Sequence, residues 1–244
     1  MQGFQLSILL IFLTLGKSTS SSNELSEAES LRAIMKAWNL SSLSWQGDNP
    51  CDGWQRIGCD NNSRVTFLNL SNMGITGPIP EELGNLIHLT YLDLGNARNS
   101  SLPYNQISGG LSAVQPLTNL LHLNLSFNSL QLNAFPSVIF NLTKLISLRI
   151  DNNRIGGFLP KELASLRNLT YLYVGNNSLQ GPIPIEYGGL TNLQELSMWN
   201  NDLHSPIPSE FGNLPNLILL NLHDCTLYGG LPEELGRLKK IQTM

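Results

Sequence analysis

The sequence predicts an α/β solenoid, in which a stack of small repeating units builds one curved parallel sheet behind a helical cap. Three observations lead to this fold class. A frame of about 24 residues recurs after residue 64, apolar and polar residues alternate within each copy over the length of a short strand, and a helical pattern precedes the first copy. A strong short period predicts a row of small units rather than a single globule.

The composition narrows the classes of partner. The chain has 14 Lys and Arg residues against 18 Asp and Glu residues, a net charge of −4, and no basic cluster. We therefore expect no nucleic-acid partner and no attraction to an anionic membrane. Charged residues make up only 13% of the chain, below a usual value of about 25%. Amides and hydroxyls must supply much of the polar surface.

The N-terminus has the pattern of a secretory signal, which we assign to residues 1–20. Its apolar run, Leu6 to Leu15, is followed by the Ser/Thr-rich stretch Ser18 to Ser22. A run of this length is too short to cross a bilayer, which takes roughly 20 residues. Its position favours a cleaved signal over a buried helix or strand of the mature fold. Because no second apolar span follows, we expect no membrane anchor in this chain.

Asn-x-Ser/Thr sequons support the secretory route, because they are acceptors for N-linked glycans. The candidate sites are Asn39, Asn61, Asn69, Asn99, Asn124, Asn141, Asn168 and Asn176. Their number is partly a consequence of the high Asn content of the chain. Modification of each site is a prediction.

Residues 24–64 are predicted to form an N-terminal cap. Ser26 and Glu29 have the S-x-x-E spacing of a capping box, so we expect a helix from there to about Asn39. Apolar residues recur on one face of this helix at i, i+3, i+4 and i+7, namely Leu31, Ile34, Met35 and Trp38. That face must be buried, and the first repeat is its natural target.

The three cysteines divide into a pair and a single residue. Cys51 and Cys59 are eight residues apart, and in a secreted chain we expect a local disulfide with Trp45 and Trp54 packed around it. Cys225 occupies a position that holds Asn in neighbouring repeats. We expect a buried free thiol there rather than a metal ligand or redox switch. A bridge from Cys51 to Cys225 is the alternative.

Residues 65–244 contain about seven copies of the frame L-x-x-L-x-L-x-x-N-x-L-x-G-x-I-P-x-x-L-G-x-L-x-x and the start of an eighth. The leucines of L-x-x-L-x-L are expected to point inward from a strand whose intervening residues face solvent. Each strand should lie parallel to the last, about 4.8 Å away. A buried amide in the Asn position should bond neighbouring main-chain groups and form a ladder along the stack.

Two copies depart from the frame. The second reaches its Asn position only at Asn105, which requires about eight extra residues within 95–102. We expect a protruding loop there, with a gene-prediction or splicing irregularity as the alternative. The third copy, from Leu120, lacks the Gly-x-Ile-Pro element. Its outer side is therefore expected to be irregular.

The repeats of the L-x-G-x-I-P type, together with the W-x(5)-C-x-G-W-x(4)-C pattern from Trp45 to Cys59, resemble the plant leucine-rich-repeat ectodomains of receptor-like kinases and receptor-like proteins. The resemblance covers residues 24–244. It implies a right-handed solenoid with a disulfide-stapled helical cap, a concave parallel sheet and a location at the cell surface. It also implies an extracellular ligand, often a peptide, on the inner surface, with a shorter co-receptor completing the complex near the C-terminal end.

The chain stops soon after Ile241, without a second cysteine pair, a membrane span or a kinase. Since an uncovered repeat exposes its apolar core, we expect a fragment, a truncated isoform or an incompletely predicted gene. Such a chain is not expected to signal across a membrane by itself.

Binding residues are expected at solvent-facing strand positions, because the inward positions are committed to packing. Reading two positions from each copy gives Phe67, Asn69, Tyr91, Asp93, His122, Asn124, Arg149, Asp151, Tyr171, Tyr173, Glu195, Trp199, Asn221 and His223. The later copies are richer in interface-forming residue types, so our ligand-binding candidates are Arg149, Tyr171, Tyr173, Glu195, Trp199 and His223. Arg149 should lie beside Tyr173, and Trp199 beside His223, about 5 Å apart. The alternative is that these are ordinary half-exposed strand residues. Glycans on Asn69 and Asn124 would block part of the sheet.

Catalysis is not expected, and we assign no catalytic residue, metal ligand or cofactor. The histidines are scattered, and the sequence has no H-E-x-x-H, C-x-x-C, G-x-S-x-G or Walker pattern. His223 and Asp224 are adjacent but have no nucleophile beside them.

Two functions remain. The first is the ligand-recognition segment of a receptor-like protein or kinase, on the extracellular face of the plasma membrane. The alternative is a soluble secreted binder, such as an inhibitor of cell-wall hydrolases or a receptor decoy. A cell-wall component is kept as an alternative partner. The first predicts a membrane span in a longer transcript, and the second predicts a capping cysteine pair followed by a stop codon.

Overall fold

A computed structural model describes residues 25–97 and 100–244 of the chain. The predicted signal at residues 1–20 and the candidate glycosylation site Asn99 lie outside these ranges. Among the described residues, no helix combines the length and the apolar character needed to span a membrane.

The cap begins with helix α1, Glu27–Ala37. The predicted capping box is present: the Glu29 backbone N–H donates to the Ser26 hydroxyl at 3.2 Å, and the Ser26 backbone N–H donates to the Glu29 carboxylate at 2.8 Å. The helix ends two residues before the predicted Asn39. On its apolar face Leu31 and Ile34 are buried and Met35 is partly buried. The Trp38 indole nitrogen, just beyond the helix, donates to the Pro78 carbonyl of the first repeat at 2.9 Å. The first repeat is therefore the surface that the helix covers.

A disulfide joins Cys51 and Cys59, and Cys225 is a buried free thiol, as predicted. The rings of Trp45 and Trp54 stack with their centroids 5.6 Å apart. Both indole nitrogens donate to backbone carbonyls, those of Gln55 and Gln46. This small apolar cluster and the disulfide hold the loop that leads into the first repeat.

The strands of the described residues are short because each repeat gives only a few residues to each sheet. In chain order they are β1 Ile57–Cys59, β2 Val65–Asn69, β3 Thr76–Pro78, β4 Tyr91–Asp93, β5 Gln106–Ser108, β6 His122–Asn124, β7 Gln131–Leu132, β8 Ser147–Arg149, β9 Arg154–Phe158, β10 Tyr171–Tyr173, β11 Ser178–Gln180, β12 Glu195–Ser197 and β13 Leu219–Asn221.

One sheet runs the length of the stack in the order β1-β2-β4-β6-β8-β10-β12-β13. Strand β1 is antiparallel to β2, and the remaining neighbours are parallel. The central leucine of each repeat strand pairs with that of the next, so that Leu148, Leu172, Leu196 and Leu220 stand in one buried row. The predicted parallel solenoid is confirmed.

The outer side of the stack is built from two smaller groups of strands and from short 3₁₀ helices. Strands β3 and β5 pair, and β7, β9 and β11 form a second group. The 3₁₀ helices of the described residues are Glu81–Asn85, Ser112–Val114, Ser137–Asn141, Lys161–Ser165, Ile185–Gly189, Ser209–Asn213 and Glu233–Arg237. The apolar core lies between these helices and the long sheet, and Tyr187 and Phe211 are its largest fully buried side chains.

The predicted ladder of asparagine amides is present. At Asn177 the side-chain oxygen accepts from the Ile155 backbone N–H at 3.0 Å, while the amide nitrogen donates to three carbonyls, including those of Ile150 and Val174 at 3.1 Å. The same pattern occurs at Asn105, Asn128, Asn153 and Asn201. Buried and half-buried amides thus join five successive repeats, the second to the sixth, each to the one before it.

The two irregular copies fit the stack in different ways. At the insertion, Asn96 and Asn105 are both buried, and the Asn105 backbone N–H donates to the Asn96 side-chain oxygen at 2.6 Å. Gly95 and Asn96 therefore still belong to the regular repeat, and the extra residues start after them. The outer side of the third copy is irregular as predicted toward the second copy, because the two-residue strand β7 and strand β5 belong to separate groups. Toward the fourth copy it is regular, since β7 pairs with β9 and a 3₁₀ helix follows β7.

Candidate ligand-binding groove

On the side of the long sheet that faces away from the apolar core, residues form three columns, each with one residue per repeat. They lie two, four and six residues after the leucine or valine that opens each copy. The first column is Phe67, Tyr91, His122, Ser147, Tyr171, Glu195 and Leu219. The second is Asn69, Asp93, Asn124, Arg149, Tyr173, Ser197 and Asn221. The third, just past the strands, is Ser71, Gly95, Ser126, Asp151, Gly175, Trp199 and His223.

Several residues of the second and third columns, together with residues just past them such as Asn72, Asn96 and Asn152, line a groove of about 760 Å³ that extends from Ser71 to His223. Its walls combine amides, carboxylates, one guanidinium and one indole. A long groove of this kind, with polar and apolar surface in similar amounts, suits an extended ligand that contacts several repeats better than it suits a compact small molecule.

Arg149 is the cation of the groove, and its position depends on two neighbouring strands. Its guanidinium carbon lies 4.5 Å from the centroid of the Tyr173 ring. The Tyr173 hydroxyl in turn donates to the Glu195 carboxylate on β12. Burial and this carboxylate raise the pKa of Tyr173, so the phenol stays protonated and can keep donating. The Arg149 side chain is exposed and is held by an oriented aromatic ring.

Trp199 and His223 form the second predicted pair. Their rings stack with centroids 5.2 Å apart and an interplanar angle of 21°. The indole lies directly over Gly175, where a Cβ atom would come within 2.2 Å of the Trp199 ring. Glycine at this point of the third column therefore allows the indole to lie flat against the main chain.

Two carboxylates face the same groove and differ in exposure. Asp93 accepts from the Gly95 backbone N–H and from the Asn124 amide, both at 2.9 Å. Desolvation outweighs these bonds and raises the pKa of Asp93. Asp151 is only 7% exposed, and it accepts from the Ser126 hydroxyl at 2.6 Å. The prediction that Asp151 is exposed to solvent was wrong, because its carboxylate lies at the floor of the groove, where the Ser126 hydroxyl and the Asn152 amide donate to it.

All six predicted binding residues lie on the solvent side of the long sheet, on four successive repeats. Arg149 and Tyr173 belong to the second column, Tyr171 and Glu195 to the first, and Trp199 and His223 to the third. The prediction of two side-by-side pairs is confirmed by the Arg149–Tyr173 and Trp199–His223 contacts. Binding by these residues remains a prediction.

An aromatic row in the first column was not among the predicted binding residues. The rings of Phe67 and Tyr91 stack at 4.5 Å, and His122 follows at 5.8 Å from Tyr91. Phe67 is 37% exposed. Phe67, Tyr91 and His122 are among the solvent-facing positions identified from the sequence, but the binding candidates were drawn only from the later copies. Their common offset of two residues from the start of each copy is the signal that places them in one row.

The described residues contain no group of three or more His, Cys, Asp or Glu side chains placed to hold a metal ion. His223 contacts Asp224 at 3.0 Å, and His204 contacts Asp202 at 2.7 Å, but all four side chains are largely exposed.

Family models match most of the repeat region. The model described as a leucine-rich repeat region matches residues 105–244, more than half of the chain, and the single Leucine Rich Repeat model matches residues 64–86. Among curated relatives, the chain is 27% identical over 174 residues to the receptor-like kinase TMK2 of Arabidopsis thaliana, covering 64% of this chain and 19% of TMK2.

Two solved structures are similar over nearly the whole described length. One is the crystal structure of PEPR1–AtPEP1, with a TM-score of 0.76 and 31% identity over 89% of this chain and 31% of that chain. The other is the Arabidopsis receptor kinase HAESA in complex with the peptide hormone IDA and the co-receptor SERK1, with a TM-score of 0.75 and 33% identity. It covers 88% of this chain and 36% of that chain.

The chain thus spans about a fifth to a third of these proteins, and what it shares with them is the capped stack of repeats. The matched family models, the parallel sheet and the stapled cap all agree. The chain therefore belongs to the leucine-rich-repeat family, and its repeats are of the type that forms plant receptor ectodomains.

Proposed function

We propose that this chain is the extracellular recognition segment of a plant leucine-rich-repeat receptor-like protein or kinase, and that it binds a peptide or protein ligand along the groove. One observation carries the proposal. The exposed Arg149 guanidinium lies on the Tyr173 ring, and no carboxylate of the described residues approaches it within the 4.0 Å of an ion pair. An oriented cation of this kind is suited to an anionic group of a ligand.

The length of the groove favours an extended ligand. From Ser71 to His223 it crosses seven strands, or six spacings of about 4.8 Å, a span of roughly 29 Å. At about 3.3 Å per residue, an extended peptide of about nine residues would cover this distance. Trp199 and His223 at one end offer apolar contact, and Arg149 near the centre offers charge. Exposed Trp and Arg residues are those that most often dominate interface energies.

The comparisons support a peptide as the ligand class. The solved HAESA complex contains a peptide hormone and a co-receptor, and it shares the scaffold of this chain. In our proposal a peptide contacts the groove, and a co-receptor is a second partner. This segment carries out recognition and no catalysis, and any signalling depends on further parts of a longer protein.

The domain division belongs to the same proposal. Residues 1–20 are a secretory signal, residues 24–64 an N-terminal cap, and residues 65–244 the repeats. This arrangement would expose the groove on the outer face of the plasma membrane. The names of the relatives, which are plant receptor kinases, support that location.

The experiment is a selection of peptides on the purified chain. Two phage libraries display random peptides of about a dozen residues, slightly longer than the estimated span. One library is rich in Asp and Glu and the other contains neither residue. Each library is selected by binding to the chain and sequenced separately. We expect enriched peptides that carry Asp, Glu or a free carboxylate and that compete with one another for one site. Enrichment of peptides that bind equally well after Arg149 is replaced would contradict the proposal.

A further inference from the structure

The described sequons fall into groups according to the hydrogen bonds that the side-chain amide of each asparagine already makes. Asn39, Asn61 and Asn141 are exposed, and their side chains make no hydrogen bond to any other described residue. The hydroxyl residues that complete these sequons, Ser41, Ser63 and Thr143, are exposed as well. Asn141 ends the 3₁₀ helix Ser137–Asn141, on the side of the repeat away from the groove. These three sites offer both an available amide and open space.

Both polar atoms of the Asn176 side-chain amide are already hydrogen-bonded to other repeats. Its oxygen accepts from the Asn200 amide at 2.5 Å, and its nitrogen donates to Asn152 at 2.8 Å. The Asn152 amide donates onward to the carboxylate of Asp151 at 2.6 Å. Asn176, Asn152 and Asn200 all have positive φ values, from 49° to 56°. A sugar on Asn176 would have to fit between two stacked repeats within this chain of amides.

Asn124 is committed in a different way, because it forms part of the groove wall. Its nitrogen donates to Asp93 at 2.9 Å, and its oxygen accepts from the Ser126 backbone N–H at 3.0 Å. The amide packs against Gly95, where a Cβ atom would lie 2.6 Å from the Asn124 oxygen. Ser126, which completes the sequon, is 3% exposed. A glycan here would fill the groove and push apart the contacts that shape it.

We propose that N-linked glycans attach to Asn39, Asn61 and Asn141, whereas the folded protein carries none on Asn124 and Asn176. The glycans would cover the cap and the outer side and leave the groove bare for its ligand. Asn69 and Asn168 fall between the two groups, since only one polar atom of each side-chain amide is hydrogen-bonded. The Asn69 oxygen accepts from Ser71, and the Asn168 nitrogen donates to the Thr143 carbonyl. The inference rests on the extracellular location in the proposed function.

The test uses the whole chain expressed in plant cells and recovered from the medium as folded protein. Glycans are removed with peptide N-glycosidase A in ¹⁸O-labelled water, which marks each occupied Asn, and peptides are mapped by mass spectrometry. We expect label on Asn39, Asn61 and Asn141 and no label on Asn124 or Asn176. The variant Thr143→Ala should remove one glycan step in gel mobility. The matched variant Ser178→Ala, which destroys the Asn176 sequon at an exposed residue, should leave mobility unchanged.

Label on Asn124 or Asn176 in the folded pool would overturn the inference, as would Thr143→Ala with unchanged mobility. A second chain, in which an established secretory signal replaces residues 1–20, separates this inference from the proposed function. If the chain with the native N-terminus remains inside the cell and unglycosylated, while the second chain is secreted with label on Asn39, Asn61 and Asn141 and none on Asn124 or Asn176, the extracellular assignment fails and the choice of sites stands. If both chains are secreted and labelled on Asn124, the choice of sites fails and the extracellular assignment stands.

Discussion

The Arg149 guanidinium stacks on the Tyr173 ring at 4.5 Å, and Tyr173 is itself held by a hydrogen bond to Glu195. These three side chains come from β8, β10 and β12, so the arrangement exists only while three repeats stay in register. A cation–π contact at an exposed site contributes about 0.5–1 kcal/mol. Its main effect here is to orient the guanidinium toward the groove.

Replacing Arg149 by Gln should weaken the binding of peptides selected on the wild-type chain by about tenfold or more, equivalent to about 1.4 kcal/mol. The substitution removes the charge but retains a side chain over Tyr173, so the unfolding midpoint should change little. Surface plasmon resonance and urea titration measure the two effects. Arg154→Gln, an exposed arginine on β9 outside the groove, is the matched control and should bind as the wild type does. Equal weakening by both substitutions would mean that net charge alone is responsible.

Replacing Gly175 by Ala should displace the Trp199 indole, because the added Cβ would lie 2.2 Å from that ring. Overpacking of this kind typically costs about 1–3 kcal/mol. The fluorescence of Trp199 should change, and peptide binding at this end of the groove should weaken. Gly189→Ala is the control, since nothing lies within 4 Å of its added Cβ. If the two alanine variants behave alike, Trp199 does not depend on the glycine.

Replacing Asn177 by Ala should destabilise the stack by about 2–3 kcal/mol, because main-chain groups of two repeats lose their partners in a half-buried setting. The unfolding free energy in urea measures this cost. Asn192→Ala removes an exposed amide with a single bond, to the Arg167 carbonyl, and should cost less than about 1 kcal/mol. Similar costs for both substitutions would show that the ladder contributes nothing beyond an ordinary surface bond.

Removing the Cys51–Cys59 bridge, by the double change Cys51→Ala and Cys59→Ala, should destabilise the cap by about 2–3 kcal/mol, the value expected for closing a loop of this length. The stacked pair Trp45–Trp54 should become more exposed before the rest of the chain unfolds, which acrylamide quenching of tryptophan fluorescence can detect. A non-reducing peptide map provides the accompanying check on pairing. A bridge that involved Cys225 would contradict the structure.

The stability of the protein should carry a pH dependence from Asp93. Because burial raises the pKa of this carboxyl in the folded state, the folded chain binds the proton more tightly than the unfolded chain. The contribution of Asp93 to stability therefore falls as pH rises through its folded pKa. Asp93→Asn removes this fall, so the variant should gain in stability relative to the wild type as pH increases from about 3 to about 7. Urea titration at each pH gives the difference.

Asp60 gives the stability of both chains a pH dependence of the opposite sign, which the comparison must remove. The Arg64 side chain lowers the pKa of Asp60 to about 2, so its contribution is present above the unfolded pKa and is lost as pH falls through the folded value. Both chains contain Asp60, and the comparison between them cancels its effect. A wild-type minus variant difference that stays constant with pH would contradict the effect assigned to Asp93.

Most of the fold could be predicted because its repeat period follows from the residue types within short segments of the chain. The row of leucines and the ladder of amides at positions such as Asn153 and Asn177 follow from one repeat considered alone. The capping box at Ser26 follows from four consecutive residues of the cap. The third copy was a partial exception. Its missing Gly-x-Ile-Pro element predicted an irregular outer side, which holds toward the second copy, but pairing of β7 with the neighbouring β9 imposes a short strand toward the fourth. Contacts supplied by a neighbouring repeat cannot be read from the copy itself.

The candidate site was predicted less completely, for a related reason. The sequence by itself determined the scaffold, the stapled cap, the solvent-facing side of the strands and the two side-by-side pairs that include Arg149 and Trp199. Only the tertiary structure decided that Asp151 is buried and that Gly175 makes room for an indole. It also decided that Asn124 and Asn176 are bonded across repeats while Asn141 is open. Alternation along a strand specifies which face a side chain lies on, but exposure on that face depends on the neighbours that register places beside it.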